Sequence, residues 1–467
     1  MAEGLTGAGD FELEVLDLVT VSGMRIDLTA SCMGITIFED VFSLALTGTI
    51  ALTDSFNLPS HGPILGQEYL YLKIRTPSFP NATTTAIDFS ENVFLVHSIS
   101  TRKALGSGVQ GYVLSFASQE LIKNQRLKVT QSLTGSWSDL VEQMLRDNKY
   151  LNTTKNVLIE RTAGVKRFVA PNIRPLDVVV LATKQAISQK GGEPTFLFYE
   201  TFDGFNFRSL ASLYNKLPSF LFKTVQFGSN PPLGRRGDIA KQMETILSYE
   251  IVNNNDTIVG YRTGMYGSKL ITHDIVKKKI VQHEYTGFNE WFGISHLGIY
   301  PPLSNSETEI KKSSRKSFAP PATEFPSIDE TELSNQVDSH IEFYPKHNQM
   351  YSLNTSDLYD NKVEDWKLQR NGHMEIYNGL KVMIECAGVS FLKIGSVVNL
   401  LVTSPETTDR DGKMFEGYEK YLSGKWLVSE IRHILTQKDD IQYRMVVILL
   451  KDGLEDIVPL RKTRKED

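Results

Sequence analysis

Few stretches of this chain carry residue types at a spacing that chemistry requires. Gly106-Ser107-Gly108-Val109-Gln110-Gly111 matches G-x-G-x-x-G, the pattern that cradles a dinucleotide pyrophosphate when a strand precedes it and a helix follows. Here Tyr112, Leu114 and Phe116 alternate with Val113 and Ser115, which is a strand pattern, so the glycines are expected to turn a hairpin. Arg236-Gly237-Asp238 sits in a Gly/Pro-rich loop and reads as a chance tripeptide. His283-Glu284 lacks the second histidine of a metal-binding helix, and His340 and His347 have no ligand spacing. Cys32 and Cys386 lie far apart and suggest neither a zinc site nor a disulfide framework. There is no Gly-x-Ser-x-Gly elbow, and no carboxylate pair that the sequence marks as lying in apolar surroundings. Lys277-Lys278-Lys279 and the tail Arg461-Lys462-Thr463-Arg464-Lys465 read first as solvated faces and second as partner contacts. The expectation is a protein that is not an enzyme, with no catalytic residue, cofactor or metal.

Composition narrows the class further. With 467 residues, 41% hydrophobic and 22% charged, the chain can bury the cores of about three soluble domains. A formal charge of −5 gives no general basic footprint for nucleic acid. Met1-Ala2-Glu3-Gly4 does not read as the start of a signal peptide, and no apolar run approaches the roughly 20 residues of a spanning helix.

The elements that organise the chain are found twice. Phe94-Leu95-Val96-His97-Ser98-Ile99, a Gly-rich loop and Gly111-Tyr112-Val113-Leu114-Ser115-Phe116 form one copy. Trp426-Leu427-Val428-Ser429-Glu430-Ile431, a polar loop and Gln442-Tyr443-Arg444-Met445-Val446-Val447 form the other. A tyrosine follows the opening aromatic by 18 residues in the first and 17 in the second. Upstream, Gly66 to Pro77 and Gly395 to Pro405 each run from a glycine through a strand-like segment to a Thr/Ser-Pro stop. Three elements in one order predict two related β-domains near the ends of the chain.

In the first of them, residues 44–53 alternate Leu44, Leu46, Gly48, Ile50 and Leu52 with polar or small residues, a half-buried antiparallel strand. After Ser118 the pattern changes. Trp137, Leu140, Val141, Met144 and Leu145 recur at helical spacing behind Ser136, a good N-cap. Pro175 opens a second helix, expected to run past Ile187 to Gly191-Gly192. Asp203-Gly204 between two aromatic runs predicts a hairpin. Residues 246–252, 257–262 and 271–281 read as opening strands of the second barrel, and 304–335 as a surface loop or arm. The reading is mainly β with an α+β insertion. Its parts are a flexible arm (1–10), a first barrel (11–118), an α+β domain (119–212), a discontinuous second barrel (213–285 and 371–457), a loop-rich insertion (286–370) and a basic tail (458–467).

Ile37-Phe38-Glu39-Asp40-Val41-Phe42, Leu46-Thr47-Gly48-Thr49-Ile50 and Pro63-Ile64-Leu65-Gly66-Gln67-Glu68 in the first barrel form a combination that resembles the central baseplate hub proteins of contractile-tailed phages of the T-even type. The run from Phe198 to Leu210 and the closing Lys420-Tyr421-Leu422-Ser423-Gly424-Lys425-Trp426-Leu427-Val428 are similar too, whereas the resemblance is weak from about 215 to 370. The resemblance implies two tube-like antiparallel β-barrels per chain and a homotrimer, whose six-barrel ring joins a sixfold tail tube to a threefold cell-puncturing spike. It implies a virion protein, made in the host cytoplasm, with DNA passing only in transit through the lumen. Implied partners are the central spike protein and tail tube or inner baseplate tube proteins, with wedge and tape measure proteins as further candidates and no membrane anchor. The alternatives are a tail-associated cell-wall-degrading enzyme and a neighbouring tail-tube or spike-base protein.

Overall fold

The computed structural model describes residues 7–61, 64–76, 86–106, 108–224, 239–253, 256–275, 277–291, 293–298, 337–346, 363–404, 418–419, 422–438 and 441–454. Nominated stretches at 236–238, His347, 304–335 and the basic tail lie outside them. The fold is mainly β with an α+β insertion, as the alternating patterns imply.

The first body holds β1 (Glu12–Val19), β2 (Arg25–Asp27), β3 (Cys32–Asp40), β4 (Thr47–Asp54), β5 (Tyr69–Arg75), β6 (Ala86–Asp88), β7 (Phe94–Gly106) and β8 (Val109–Ser118). They hydrogen-bond in the order β2-β1-β5-β7-β8-β4-β3, with β6 on β5. Period-two alternation is realised along β4, whose even positions are buried and odd ones half-buried. The glycine pattern at 106–111 turns β7 into β8, as its strand context requires, with Gly108 at φ 77°.

The α+β insertion follows. Its strands are β9 (Ser132–Gly135), β10 (Asn156–Ile159), β11 (Lys166–Val169), β12 (Phe196–Thr201) and β13 (Gly204–Ser209). The Trp137–Arg146 helix forms as expected, with the Ser136 hydroxyl accepting from the Asp139 N–H. The Pro175–Gln185 helix stops earlier than its sequence suggests: Ala186 is already extended, and the pair Gly191-Gly192 lies in a later turn. The Asp203-Gly204 hairpin joins β12 to β13, and a Cβ on Gly204 would fall 2.1 Å from the Asn156 carbonyl oxygen.

The second body is a closed ring. Its strands are β14 (Phe220–Thr224), β15 (Thr245–Asn253) and, after an excursion, β19 (Leu380–Ala387), β20 (Val397–Leu401), β21 (Gly424–Thr436) and β22 (Gln442–Lys451). They pair as β14-β15-β19-β22-β21-β20, and β14 returns to β20 to close the six-stranded barrel. The excursion builds β16 (Gly267–Asp274), β17 (Lys279–Thr286) and β18 (Ile341–Pro345), a separate three-stranded sheet.

Two expectations fail in this excursion. Residues 257–262 are helical rather than a strand, because the Asp256 carboxylate accepts from the Ile258 and Val259 N–H groups and Gly264 terminates the helix in the left-handed region. Residues 271–281 do not enter the second barrel; they span the end of β16 and the start of β17 in the separate sheet. The Val363–Tyr377 helix is also unexpected: it straddles residue 370, where the loop-rich insertion was to give way to the second barrel, and its buried residues lie on several sides and leave no clean helical stripe to read.

The duplication is confirmed in register. Leu70 pairs with Phe94 and Val398 with Trp426. Across the hairpins, Leu95 opposes Ala117 and Leu427 opposes Leu450, and a one-residue irregularity follows in each copy, at His97 and at Ser429. On the next ladder Ile50 opposes Leu114 as Ile384 opposes Val447. On the one after, Ile35 opposes Ile50 as Tyr249 opposes Ile384, with a bulge at Met33 in one copy and Leu247 in the other. One detail of the sequence alignment shifts: Tyr112 is equivalent to Met445, not to Tyr443, because the two hairpins differ in loop length.

Candidate assembly interface

The polar groups best held in place lie at seams between the bodies. β21 is shared. Its first half pairs with β20 to close the second barrel, and its second half, Glu430–Thr436, pairs antiparallel with Gly34–Asp40 of β3. The ladder extends through Val41 N–H to the Ser429 carbonyl at 3.0 Å and Gln437 N–H to the Met33 carbonyl at 2.9 Å. Ile35, Ile37, Ile431 and Leu435 are buried along it, and the Arg432 guanidinium lies 5.6 Å from the centre of the Phe38 ring. His433 Nε2 is 2.9 Å from Glu39 Oε1, and its Nδ1 is 2.7 Å from Tyr443 Oη. Burial pushes the Glu39 carboxyl above its ordinary range, against the opposing pull of His433.

A second network ties the insertion to the first body. Lys155 Nζ donates to Glu120 at 2.7 Å and to Glu200 at 2.6 Å, with all three side chains nearly inaccessible. The other Glu200 oxygen accepts from Leu46 N–H at 2.8 Å and the Ser118 hydroxyl at 2.6 Å, both on the first body. Burial raises the Glu200 carboxyl. Glu120 also feels burial, but Lys155 and Thr153 outweigh it and hold that carboxyl below its usual range. Sequence reading missed this triad because its members are 35 and 45 residues apart on different elements. In isolation two carboxylates and a lysine could exchange protons. None of the three lines the 940 Å³ cleft beside Glu160, Arg161 and Ser209, so the triad reads as a buried brace.

His283, His296, His340 and His373 also sit in structural contacts. His373 Nδ1 sits 3.4 Å from Glu193, and His296 Nδ1 lies 2.7 Å from Asp452 while its ring stacks on Trp291. Burial opposes ionisation of Glu193, but its contacts with His373 prevail and hold it below the ordinary range. His283 faces the Thr272 hydroxyl, and His340 faces the Arg262 carbonyl and Glu342. Both cysteines are free and buried, which pushes the Cys32 thiol up to about 12 and Cys386 higher still. Among the described residues no three His, Cys, Asp or Glu side chains gather to hold a metal ion, and no helix is long and apolar enough to cross a membrane.

No family model matches the chain. A curated relative, "Probable baseplate hub protein gp334" of Vibrio phage KVP40, is 21% identical over 278 residues, 59% of this chain and 57% of that protein. This chain resembles a phage baseplate hub protein. The match therefore spans little more than half the relative's length. Among solved structures, the 43 kDa tail protein of prophage MuSo2 from Shewanella oneidensis shares the fold at a TM-score of 0.50 and 9% identity, covering 94% of this chain and 98% of that one. A tail protein from Neisseria meningitidis MC58 aligns over 95% of this chain and 97% of its own at a TM-score of 0.49 and 10% identity.

The stretches that carry the hub resemblance in the sequence each have a structural task. Ile37 to Val41 is the seam strand, with Glu39 at its polar centre. Gly48 leaves room for the Phe116 ring, which would lie 2.3 Å from an added Cβ. Glu68 is fully buried and its carboxylate accepts the N–H groups of Leu65, Gly66 and Gln67, which fixes the entry to β5. Glu200, in the Phe198 to Leu210 run, is the brace just described. Trp426 donates its indole N–H to the Leu422 carbonyl at 2.8 Å and pins the start of β21.

Proposed function

We propose that this chain is the central hub of a phage tail baseplate, a structural virion protein made in the host cytoplasm. In this reading three copies form a ring of six barrels. The ring joins a sixfold tail tube or inner baseplate tube to a threefold cell-puncturing spike, and DNA crosses its lumen in transit. The observation that carries the reading is the duplication in register of one barrel within one chain, including the matched bulges at Met33 and Leu247 and at His97 and Ser429. Two equivalent barrels on a threefold axis would present six similar surfaces to one neighbour and three to the other. The likeness to the KVP40 hub protein supports the same assignment.

The spike and tube proteins are the principal partners in this proposal, with wedge and tape measure proteins as further contacts. Residues 11–118 and the six-stranded ring would be the two tube domains, and residues 119–212 a brace beside the first. Light scattering of the purified chain, alone and with its spike partner, tests the reading. A trimer, or a monomer that becomes trimeric with the spike, is expected. A persistent monomer that degrades peptidoglycan would replace the hub with the cell-wall enzyme.

A further inference from the structure

The two barrels differ in what covers one strand edge, and that difference identifies a contact between copies. Within the chain, the outer edge of β3 is covered by the second half of β21. The strand equivalent to β3 is β15, and the strand equivalent to β21 is β7. Among the described residues β15 meets β14 only at Thr245 and Ile246, so its outer edge from Ser248 onward carries no ladder. Among the described residues β7 likewise meets β5 only at Phe94 and Leu95, and none of them forms a ladder on its outer edge from Ser98 onward. Among the described residues, one edge of each kind is thus left over.

We propose that β15 of one copy pairs antiparallel with the second half of β7 in the next copy, as β3 pairs with β21 within the chain. Exposure supports it. Ile35 and Ile37 are 2% and 0% accessible at the internal seam, while their equivalents Tyr249 and Ile251 are 45% and 44% accessible. An exposed apolar edge strand invites pairing and is normally blunted or covered. β15 instead offers Tyr249, Ile251 and Val252 in succession, and Leu105 is exposed on the opposing edge.

Register supports it independently. Transferring the internal ladder places Tyr249 opposite Ala104, Glu250 opposite Lys103, and Asn253 opposite Ser100. The opposite charges of Glu250 and Lys103 fall directly across from each other. Relative to the internal seam, β7 carries one extra residue between Ser100 and Lys103, and β15 one extra residue between Ile251 and Asn253. The two insertions fall at the same level, so the ladder stays in step on both sides. A chain with one edge of each kind makes a head-to-tail contact, which closes as a ring when the rotation permits. The proposal rests on the hub reading for the number of copies, and on the two edges for the contact itself.

Paired cysteines in the full chain test it. Tyr249→Cys with Ala104→Cys, mildly oxidised, is expected to give covalent dimers and trimers on a non-reducing gel. Tyr249→Cys with Lys103→Cys is expected to give none, because neighbouring side chains of a strand point to opposite faces. Glu250→Lys should weaken association about tenfold, and adding Lys103→Glu should restore it. A wild-type trimer in which the first pair does not cross-link and Glu250→Lys changes nothing overturns the pairing but leaves the hub reading standing. A wild-type chain that stays monomeric even with its spike partner removes both.

Discussion

The two barrels share a register but not a closure. The second is a complete ring because β14 bonds β20 on one side and β15 on the other. The first has no such strand between its ends: among the described residues, β1 and β2 fill the place beside β5 and do not reach β3. Its gap at β3 is filled by β21, which belongs to the other barrel, and its flank is held by the buried Glu120–Lys155–Glu200 brace. One fold copy is stabilised by itself and the other by its neighbours. Breaking the neighbours' contacts should therefore harm the first barrel more than the second.

The largest effect is expected from Lys155→Ala. It leaves Glu120 and Glu200 buried without their cation, an omission that typically costs about 3–5 kcal/mol. Urea unfolding should show a correspondingly lower midpoint. Lys155→Met with Glu120→Leu and Glu200→Gln, which removes the charges together, should recover most of the loss. An unchanged midpoint in the single variant would mean that the first barrel does not depend on the insertion.

A smaller effect compares one position in both barrels. Gly48 opposes Phe116, and the equivalent Val382 opposes Leu449. The aromatic ring in the first barrel takes up the space that a branched side chain fills in the second. Gly48→Val should therefore destabilise by about 1–3 kcal/mol through overpacking. Phe116→Leu in the same chain should return part of that. The recovery is expected to be incomplete, since an added Cβ at Gly48 also meets the Thr36 carbonyl oxygen at 2.5 Å.

The two carboxylate–imidazole pairs predict opposite pH behaviour. Glu39, at the seam, is raised chiefly by burial, so the folded state binds its proton more tightly than the unfolded one. Its contribution is most favourable below the ordinary glutamate range and is lost as pH rises through the folded value. Glu193 is held low by His373 despite burial, so its contribution is present above the ordinary range and is lost as pH falls through the folded value. Glu39→Gln should flatten a stability–pH profile above the ordinary glutamate range, and Glu193→Gln below it. Each change is expected to be about 1.5–3 kcal/mol, the scale of a hydrogen bond to a charged group. Identical profiles for the two variants would contradict the assignment.

How much of this was legible in the sequence follows from the range of the interactions. Strands such as β4, the capped helix behind Ser136 and the Asp203-Gly204 hairpin are written in neighbouring residues, and they were readable. The repeat was readable for the same reason, since it compares local patterns. Closure was not. β14 is a five-residue strand that pairs with the next strand and with β20, far along the chain, and the Glu39–His433 contact spans 394 residues. The Lys155 triad left no trace either, because ordinary charged residues become a brace only when the fold removes water from them.

The smallest predicted effect concerns an element that local reading got wrong. Thr257, Ile258 and Val259 are β-branched and favour a strand, yet the residues form a helix. The deciding group is Asp256, whose carboxylate accepts the Ile258 and Val259 N–H groups at 2.9 and 3.1 Å, two of the donors that a helix start leaves unsatisfied. Intrinsic preference amounts to a few tenths of a kcal/mol per residue, whereas a cap is worth about 1 kcal/mol, so one capping side chain can outweigh three branched ones. Asp256→Ala should lower stability by about 1 kcal/mol and Asp256→Asn by much less, because asparagine caps as well as aspartate. Hydrogen exchange at the Thr257–Thr263 amides should quicken in the alanine variant while the β15–β19 ladder beside it stays protected. Quickening in both would instead mean that the turn is part of the second barrel's closure, and would bring the closed barrel nearer to the open one in its reliance on neighbouring segments.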